Sequence, residues 1–267
     1  MNLTKTDIVK KYAHDDEEKL ILARALDKLE ECEQRNILTH TRFLNEQQRL
    51  TAQKMLLSMD NPRHLFWGGY ERAERSVLIF LPDYLEQEQI MCGDYDPLMY
   101  LRASYPPANI LSHRDILGSL MGCGVKRDTV GDILVGDGHS DVVVLKEVES
   151  YISQTFESAG RVRLQTELIT AEKLYVPEEK YILLRDTVAS LRFDNIVAAG
   201  FGLSRTKAAE NIESGRAALN RLENTHTDKM VGAGDIITVR GQGKITLFEV
   251  GNTTKKGRVG IVIKKWV

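Results

Sequence analysis

Leu191–Asn220 reads LRFDNIVAAGFGLSRTKAAENIESGRAALN, and this stretch decides the fold expected for the C-terminal part of the chain. Ile196–Ala199 gives the apolar face of a first helix, which Gly200 can end because glycine tolerates a positive φ. Ser204 is a good N-cap for a second helix. The alternation of Ala217–Leu219 then indicates a strand. The pattern therefore predicts two short helices followed by a strand.

Basic side chains occupy the start of the second helix. Arg205 and Lys207 follow Ser204, in the turn where free backbone N–H groups and the positive end of the helix dipole already lie. Cations at that position lower helix stability, so an anionic partner such as a phosphate explains them better. The alternative that stays open is a solvated helical face with ordinary surface arginines.

The charge distribution favours an anionic partner for the C-terminal part. The whole chain has a net charge of −2. Residues 181–267 contain 14 Lys or Arg and 8 Asp or Glu, a net of +6, so residues 1–180 carry −8. Within residues 240–267, seven basic residues accompany one acid, Glu249. This excess indicates phosphate contacts, and a lysine-rich edge that prevents sheet aggregation is the open alternative.

The middle of the chain predicts a mixed helical and stranded domain in the order βαββαβ. The strands are predicted at Leu98–Ser104, Asp132–Val135, Asp141–Leu145 and Arg161–Ile169, and the helices at 112–121 and 147–157. This is the ferredoxin-like order that RNA-recognition motifs also use. The aromatic residues on which those motifs stack bases are missing from Asp141–Leu145. The order alone therefore does not predict RNA binding.

The C-terminal pattern resembles the RNA-binding domain named after ribosomal protein S4. The Arg-Leu-Asp triplet of that domain corresponds to Arg192-Phe193-Asp194, and its Ser-Arg pair to Ser204-Arg205. Its Gly-Asp-x-Ile-x-Val corresponds to Gly234–Val239, whereas its usual glycine after the strand is replaced by Arg221. The resemblance implies a structured RNA partner, with Arg192 and Arg205 in contact with it.

Two alternating runs after residue 240 predict a β-hairpin that extends this domain. Ile245–Val250 and Val259–Lys264 read as strands, joined by a loop with two lysines at its tip. We expect the hairpin to pack on the sheet and to add basic residues to the same RNA surface. The residues expected to bind RNA are Arg192, Ser204, Arg205, Lys207, Arg216, Asn220, Arg221, Arg240, Lys244, Lys255, Lys256 and Arg258.

Two earlier segments carry a second resemblance, to the YlmH-type bacterial proteins. They are residues 66–75, FWGGYERAER, and residues 113–128, HRDILGSLMGCGVKRD. Members of that family are cytoplasmic RNA-binding proteins encoded beside cell-division genes, and they resemble a small S4-domain factor that acts on stalled large ribosomal subunits. The resemblance implies rRNA or tRNA as the partner, with the large ribosomal subunit as its site. Further candidates for the RNA surface are Arg72, Arg75, Arg114, Lys126 and Arg127.

The predicted fold class is α+β in three parts. Residues 1–60 form a helical N-terminal region, with Leu22–Cys32 at helical spacing and a second helix from Thr41 to Met59. Residues 61–178 form the middle domain of ferredoxin or RNA-recognition-motif type. Residues 179–267 form the S4-type domain with its basic β tail.

No catalytic signature accompanies these patterns. A glycine-rich cofactor loop is missing, and the six histidines lack metal-ligand spacing. We therefore expect a non-catalytic RNA-binding protein without a cofactor or a metal. An RNA-modifying enzyme of pseudouridine synthase or methyltransferase type and a protein-binding division factor stay open as alternatives. A charged N-terminus, no membrane-length apolar run and three widely spaced cysteines favour the cytoplasm.

Overall fold

The computed structural model describes residues 4–178, 180–220, 222–254 and 257–266. Its internal contacts divide the chain into two compact units, Met1–Pro177 and Glu178–Val267. Helices and antiparallel sheets occur together, so the fold is of the α+β kind that the sequence predicted. The three-part division of the chain stays a prediction. In the part of the chain that is described, no helix has both the length and the apolar character needed to cross a membrane.

The first unit contains six α-helices and nine strands among its described residues. The helices are α1 (Lys5–Tyr12), α2 (Asp16–Arg35), α3 (Glu46–Leu57), α4 (Gln87–Met91), α5 (His113–Gly122) and α6 (Glu149–Thr155). The strands are β1 (Thr39–His40), β2 (His64–Trp67), β3 (Val77–Phe80), β4 (Leu98–Ser104), β5 (Val130–Val135), β6 (His139–Leu145), β7 (Ser158–Ala159), β8 (Val162–Arg163) and β9 (Gln165–Ile169).

Two elements of the first unit differ from their sequence predictions. The helix predicted from Thr41 begins later, because Leu44 pairs with Ser76 as a β-bridge and Asn45 caps α3 by accepting a hydrogen bond from Gln48 N at 2.9 Å. The strand predicted from Arg161 to Ile169 is split into β8 and β9. Leu164 lies between them and is 5% exposed, packed in the apolar core. Long-range contacts decide both cases.

The first unit is built in four layers. Its four-stranded sheet has the order β5-β6-β4-β9, with all neighbouring strands antiparallel. One face packs on α5 and α6 through Leu101 and Val142. Tyr100 and Val143 on the other face pack against the three-stranded sheet β1-β3-β2, and Leu78 of that sheet packs against α2 and α3. Both faces of the four-stranded sheet are therefore covered over its centre.

The second unit is one six-stranded antiparallel sheet with two helices on one face. Its elements are β10 (Tyr181–Val188), α7 (Phe193–Phe201), α8 (Arg205–Glu213), β11 (Ala217–Leu219), β12 (Leu222–Glu223), β13 (Ile236–Val239), β14 (Gly243–Thr253) and β15 (Val259–Trp266). The strand order is β10-β15-β14-β13-β11-β12. The predicted strand at Ala217–Leu219 and the predicted hairpin, now β14 and β15, are confirmed. The first strand, β10, was not predicted from the sequence.

The first helix of this unit does not end where the sequence predicted. Helix α7 continues through Gly200 and ends at Gly202, whose φ of 65° is left-handed. Gly200 is needed for packing instead, since a Cβ atom there would lie 2.2 Å from Cδ1 of the buried Ile245. The close approach of α7 to the sheet allows a tightly packed core that includes Phe193, Ile196 and Ile263.

Candidate nucleic-acid interface

Two candidate arginines converge on one buried carboxylate at the start of α7. The Asp194 side chain is 8% exposed, and Arg192 Nε and Nη2 each donate to it at 3.2 Å. Arg205 Nη2 lies 3.3 Å from Asp194 Oδ2, and Asn195 N donates to Oδ1 at 2.8 Å. Burial on its own would raise the pKa of Asp194, but the bonds from Arg192 and Arg205 outweigh it and hold the pKa below its usual value. The ionised carboxylate therefore fixes both guanidinium groups where the two helices meet.

The start of α8 presents cations and free backbone donors together. Ser204 caps the helix as predicted, because its Oγ accepts a hydrogen bond from Lys207 N at 3.2 Å. All residues of α8 are described, and its first turn contains no acid. Arg205 and Lys207 are exposed there, the Arg205 side chain by 68%. A phosphate at this point would meet N–H groups, the positive end of the helix dipole and two cationic side chains.

Arg216 and Arg240 form a second basic pair at the other end of α8. Arg240 N donates to the carbonyl of Arg216 at 2.9 Å, so the two residues are neighbours across β11 and β13. Helix α8 is nine residues long, about 13 Å, with Arg205 at its start and Arg216 three residues beyond its end. Both side chains are exposed, and Arg216 Nε donates to Ser214 Oγ at 3.1 Å. A continuous phosphate backbone would have to run along α8 to touch both ends.

Asn220 has a structural task in addition to its predicted role. Its φ is 50°, a left-handed value that asparagine tolerates better than most residues. Its side chain donates to Asp235 Oδ1 at 2.8 Å and accepts from Ile236 N at 2.9 Å, which ties two turns together. RNA contact by Asn220 stays a prediction, and Arg221 lies outside the described residues.

Lys244 and Arg258 do not lie beside the helices. Lys244 adjoins the fully buried Ile245, and its Nζ sits 4.4 Å from the ring centroid of Trp266 on the opposite face of the sheet. Arg258 Nε donates to Thr187 Oγ1 at 2.9 Å, and its Nη2 donates to the Thr187 carbonyl. Arg258 thus joins β10 to the hairpin, a structural contact that the sequence did not predict. The other predicted hairpin residues, Lys255 and Lys256, are outside the described residues.

Two arginines proposed from the sequence to extend the RNA surface are engaged inside the first unit. Arg75 Nε donates to the carbonyl of Val130 at 3.0 Å, and its Nη2 donates to the carbonyl of Phe43 at 3.2 Å. Burial lowers the pKa of Arg75 to about 10. Arg127 Nη1 also donates to the carbonyl of Val130, at 2.6 Å. These two side chains hold loops onto β5, whereas Arg114 and Lys126 are exposed.

One partly exposed cluster on the second unit was missed in the sequence. Lys264 Nζ lies 3.8 Å from the ring centroid of Tyr181 and 4.6 Å from that of Trp266. The two rings are 5.8 Å apart in an edge-to-face arrangement. The alternation of Lys264 and Trp266 with Ile263 in the last strand was the available signal. Without β10 in the prediction, however, Tyr181 had no assigned neighbour.

Comparison with known proteins finds similarity to an RNA-binding family, to a curated relative and to a solved structure. Residues 98–173, which span β4 to β9, match a family described as "Putative RNA-binding domain in YlmH". The "Ribosome-associated protein quality control protein P2" of Bacillus subtilis (strain 168) is 29% identical over 201 residues, 75% of this chain and 77% of that protein. The solved "Cell division protein ylmH from Streptococcus pneumoniae" aligns with a TM-score of 0.49 and 19% identity, over 61% of this chain and 98% of that chain.

Proposed function

We propose, on the premise that this chain is a YlmH-type RNA-binding protein, that it is a non-catalytic factor that binds structured RNA on the ribosome. The partner would be rRNA or tRNA on the large ribosomal subunit, including stalled large subunits in ribosome quality control. The name of the Bacillus relative, a ribosome-associated quality control protein, supports the ribosomal setting. A cytoplasmic location without a small-molecule cofactor belongs to the same proposal. The link to cell division rests on the family resemblance alone.

The observation that carries this proposal is the convergence of Arg192 and Arg205 on Asp194. A carboxylate that accepts from both guanidinium groups sets their direction and leaves the remaining N–H donors of each for a partner. Fixed donors at a helix start suit phosphate oxygens, which position a protein on RNA without reading its sequence. Folded RNA is recognised largely through its shape and its backbone. This arrangement therefore favours structured RNA over a sequence-specific target.

Two finer features of the fold are part of the proposal. The helix pair α7–α8 followed by β11 supports an S4-type arrangement in the second unit. The strand order β5-β6-β4-β9, with α5 and α6 on one face, supports a ferredoxin-like arrangement of residues 98–173. With the N-terminal helices, these arrangements make the proposed domains 1–60, 61–178 and 179–267.

The test is the double substitution Arg192→Ala and Arg205→Ala in the full chain, followed by co-sedimentation with ribosomal subunits. We expect association to fall by about ten-fold or more, since contacts to a charged group are worth about 1.5–3 kcal/mol each. Arg35→Ala is the matched control, because Arg35 is 69% exposed and pairs with Glu31 at 3.2 Å. Association of the double variant equal to that of the wild type would contradict the proposal.

The same complexes distinguish a binding factor from an RNA-modifying enzyme. Crosslinked RNA recovered from the wild-type protein identifies the partner, and mass spectrometry of that RNA shows whether a base has changed. A non-catalytic factor leaves the nucleoside composition of its bound RNA identical to that of free RNA. A base modified only in the presence of the protein would favour the enzyme. Protein crosslinks without RNA crosslinks would favour a protein-binding division factor.

A further inference from the structure

The six-stranded sheet has an outer face, on the side opposite α7 and α8, that carries aromatic and basic side chains together. In the register of β10 and β15, Tyr181 pairs with Trp266 and Leu183 pairs with Lys264. Residues paired in this way point to the same face of a sheet. Ile263 points to the other face and is fully buried beneath the helices. The outer face is therefore defined by Tyr181, Leu183, Arg185, Lys244, Lys264 and Trp266.

This face is open and cationic. Tyr181 is 45% exposed and Leu183 is 49% exposed. Arg185 lies on the same face, because it pairs with Val262, which is two residues from Lys264 in β15. Glu249, which also pairs with Val262, is the acid that this face carries among the described residues of β10, β14 and β15. Three cations beside one acid make the face complementary to a polyanion.

We propose that the outer face binds unpaired nucleotides of RNA, by stacking bases on Tyr181 and Trp266 and by pairing phosphates with Lys244 and Lys264. This surface is additional to the one at Arg192 and Arg205, and it does not depend on the proposed function. A single strand offers phosphates and base faces together, whereas a duplex keeps its base faces inside. Platforms that combine aromatic rings with a positive groove are the common means of holding single strands.

The lysines now lie over the ring faces, and RNA would displace them. The Nζ atoms of Lys264 and Lys244 are within 4.6 Å of the Trp266 centroid. An exposed cation–π contact is weaker than the stacking of a base on an aromatic ring. Each lysine is long and flexible, so its ammonium can move to a phosphate while a base takes its place on the ring. Half-buried lysines over the exposed Tyr181 ring and the half-buried Trp266 ring thus represent the free state of this face.

The experiment measures the affinity of the full chain for a labelled single-stranded uridine oligomer of about ten nucleotides, a length within the usual site size. We expect Trp266→Leu to weaken binding by about ten-fold or more, the loss expected from one stacked base. Lys264→Ala should weaken binding and flatten its salt dependence by a log–log slope of about 0.7. Lys265→Ala is the matched control: its ammonium lies 5.6 Å from the ring of Phe201, on the helix side. This control should bind the oligomer as the wild type does.

Intrinsic fluorescence provides a measurement that does not depend on a variant. The fluorescence of Trp266 should be quenched when the oligomer is added to the wild-type chain. Trp67 is 7% exposed in the core of the other unit, so its fluorescence should not change. Absence of quenching, or equal affinity of Trp266→Leu and wild type, would overturn the inference.

The arginines at the helix start separate this inference from the proposed function. The double variant Arg192→Ala and Arg205→Ala should still bind the oligomer. If the wild type does not bind the oligomer but sediments with ribosomes, the outer-face inference is wrong and the proposed function stands. If Trp266→Leu loses ribosome association but keeps its oligomer affinity, the face binds a protein or a folded RNA, and the inference is again wrong.

Discussion

Asp194 shows how one acidic residue can organise a basic surface. Its carboxylate is nearly buried, and what a partner meets is the pair of guanidinium groups that it orients. The Arg-Phe-Asp triplet identified Arg192 in the sequence, but the sharing of Asp194 with Arg205 depends on how α7 packs on α8. A sequence pattern predicts which residues are basic, and only the tertiary structure shows which carboxylate holds them.

We predict that Asp194→Asn lowers stability by about 1–3 kcal/mol at pH 7, because charge-assisted bonds to both arginines are weakened. Asp186→Asn, at an exposed position of β10, is the control and should change stability little. Chemical unfolding followed by circular dichroism measures both. An unfolding curve of Asp194→Asn that coincides with that of the wild type would show that Arg192, Asp194 and Arg205 do not act as a unit.

The stability difference between the wild type and Asp194→Asn should depend on pH in a definite direction. The folded-state pKa of Asp194 lies below its ordinary value of about 3.9. The carboxylate therefore stabilises the fold fully above pH ~4, and this stabilisation is lost as the pH falls through the lowered pKa. We expect the stability gap between wild type and Asp194→Asn to close on acidification. A gap that widened below pH 4 would contradict the assignment.

The predictable elements were those whose signals are local. Ser204 begins α8, and the hairpin of β14 and β15 follows from alternation over adjacent segments. The predicted end of α7 was wrong because two glycines, Gly200 and Gly202, can each end a helix. Only the packing of Gly200 against Ile245 shows that the helix continues to the second glycine. The strand β10 was missed because Tyr181, Ile182 and Leu183 are all apolar or aromatic and do not alternate. Its pairing partner lies far away in the chain.

Helical glycines give a matched prediction at this scale. Gly200→Ala should destabilise the second unit by about 1 kcal/mol or more, since overpacking against Ile245 exceeds the gain in helix propensity. Gly118→Ala in α5 meets no atom within 4 Å and should stabilise the first unit by up to about 1 kcal/mol. Thermal unfolding of the two variants measures both signs. Equal changes in stability for the two variants would show that the Ile245 side chain can move away from the added methyl group without loss of stability.

Across the whole molecule, the domain that matches an RNA-binding family has a sheet covered on both faces. Tyr100 and Val143 point towards the three-stranded sheet, and Leu101 and Val142 point towards the helices. The sequence indicated that stacking aromatics were missing, and the layer of β1, β2 and β3 supplies the physical reason. The sequence predicted a buried strand at Ser76–Leu81, within which β3 lies, but it did not predict that this layer covers the sheet, because the layer is formed by strands from before the domain.

RNA contact through this domain is therefore expected at its loops and helix ends. We predict that Arg114→Ala with Lys126→Ala lowers RNA affinity and its salt slope by about 0.7 per lost phosphate, because both side chains are exposed. Arg35→Ala with Lys19→Ala on α2 is the control of equal charge, with side chains 69% and 48% exposed. Titration of each variant with the RNA that crosslinking identifies, at two salt concentrations, measures both quantities. Equal losses in both double variants would indicate a non-specific charge effect.

The position of β15 in its sheet has a consequence for synthesis. Strand β10 opens the second unit, yet its partner β15 comes after every other strand of that sheet, and Tyr181 pairs with Trp266. The nascent unit therefore cannot close its sheet while residues 259–266 are still inside the ribosomal exit tunnel. Until then β10 and β14 each offer an unpaired edge. A message truncated before Val259 would leave both edges permanently open, and its product would be a substrate for aggregation or proteolysis.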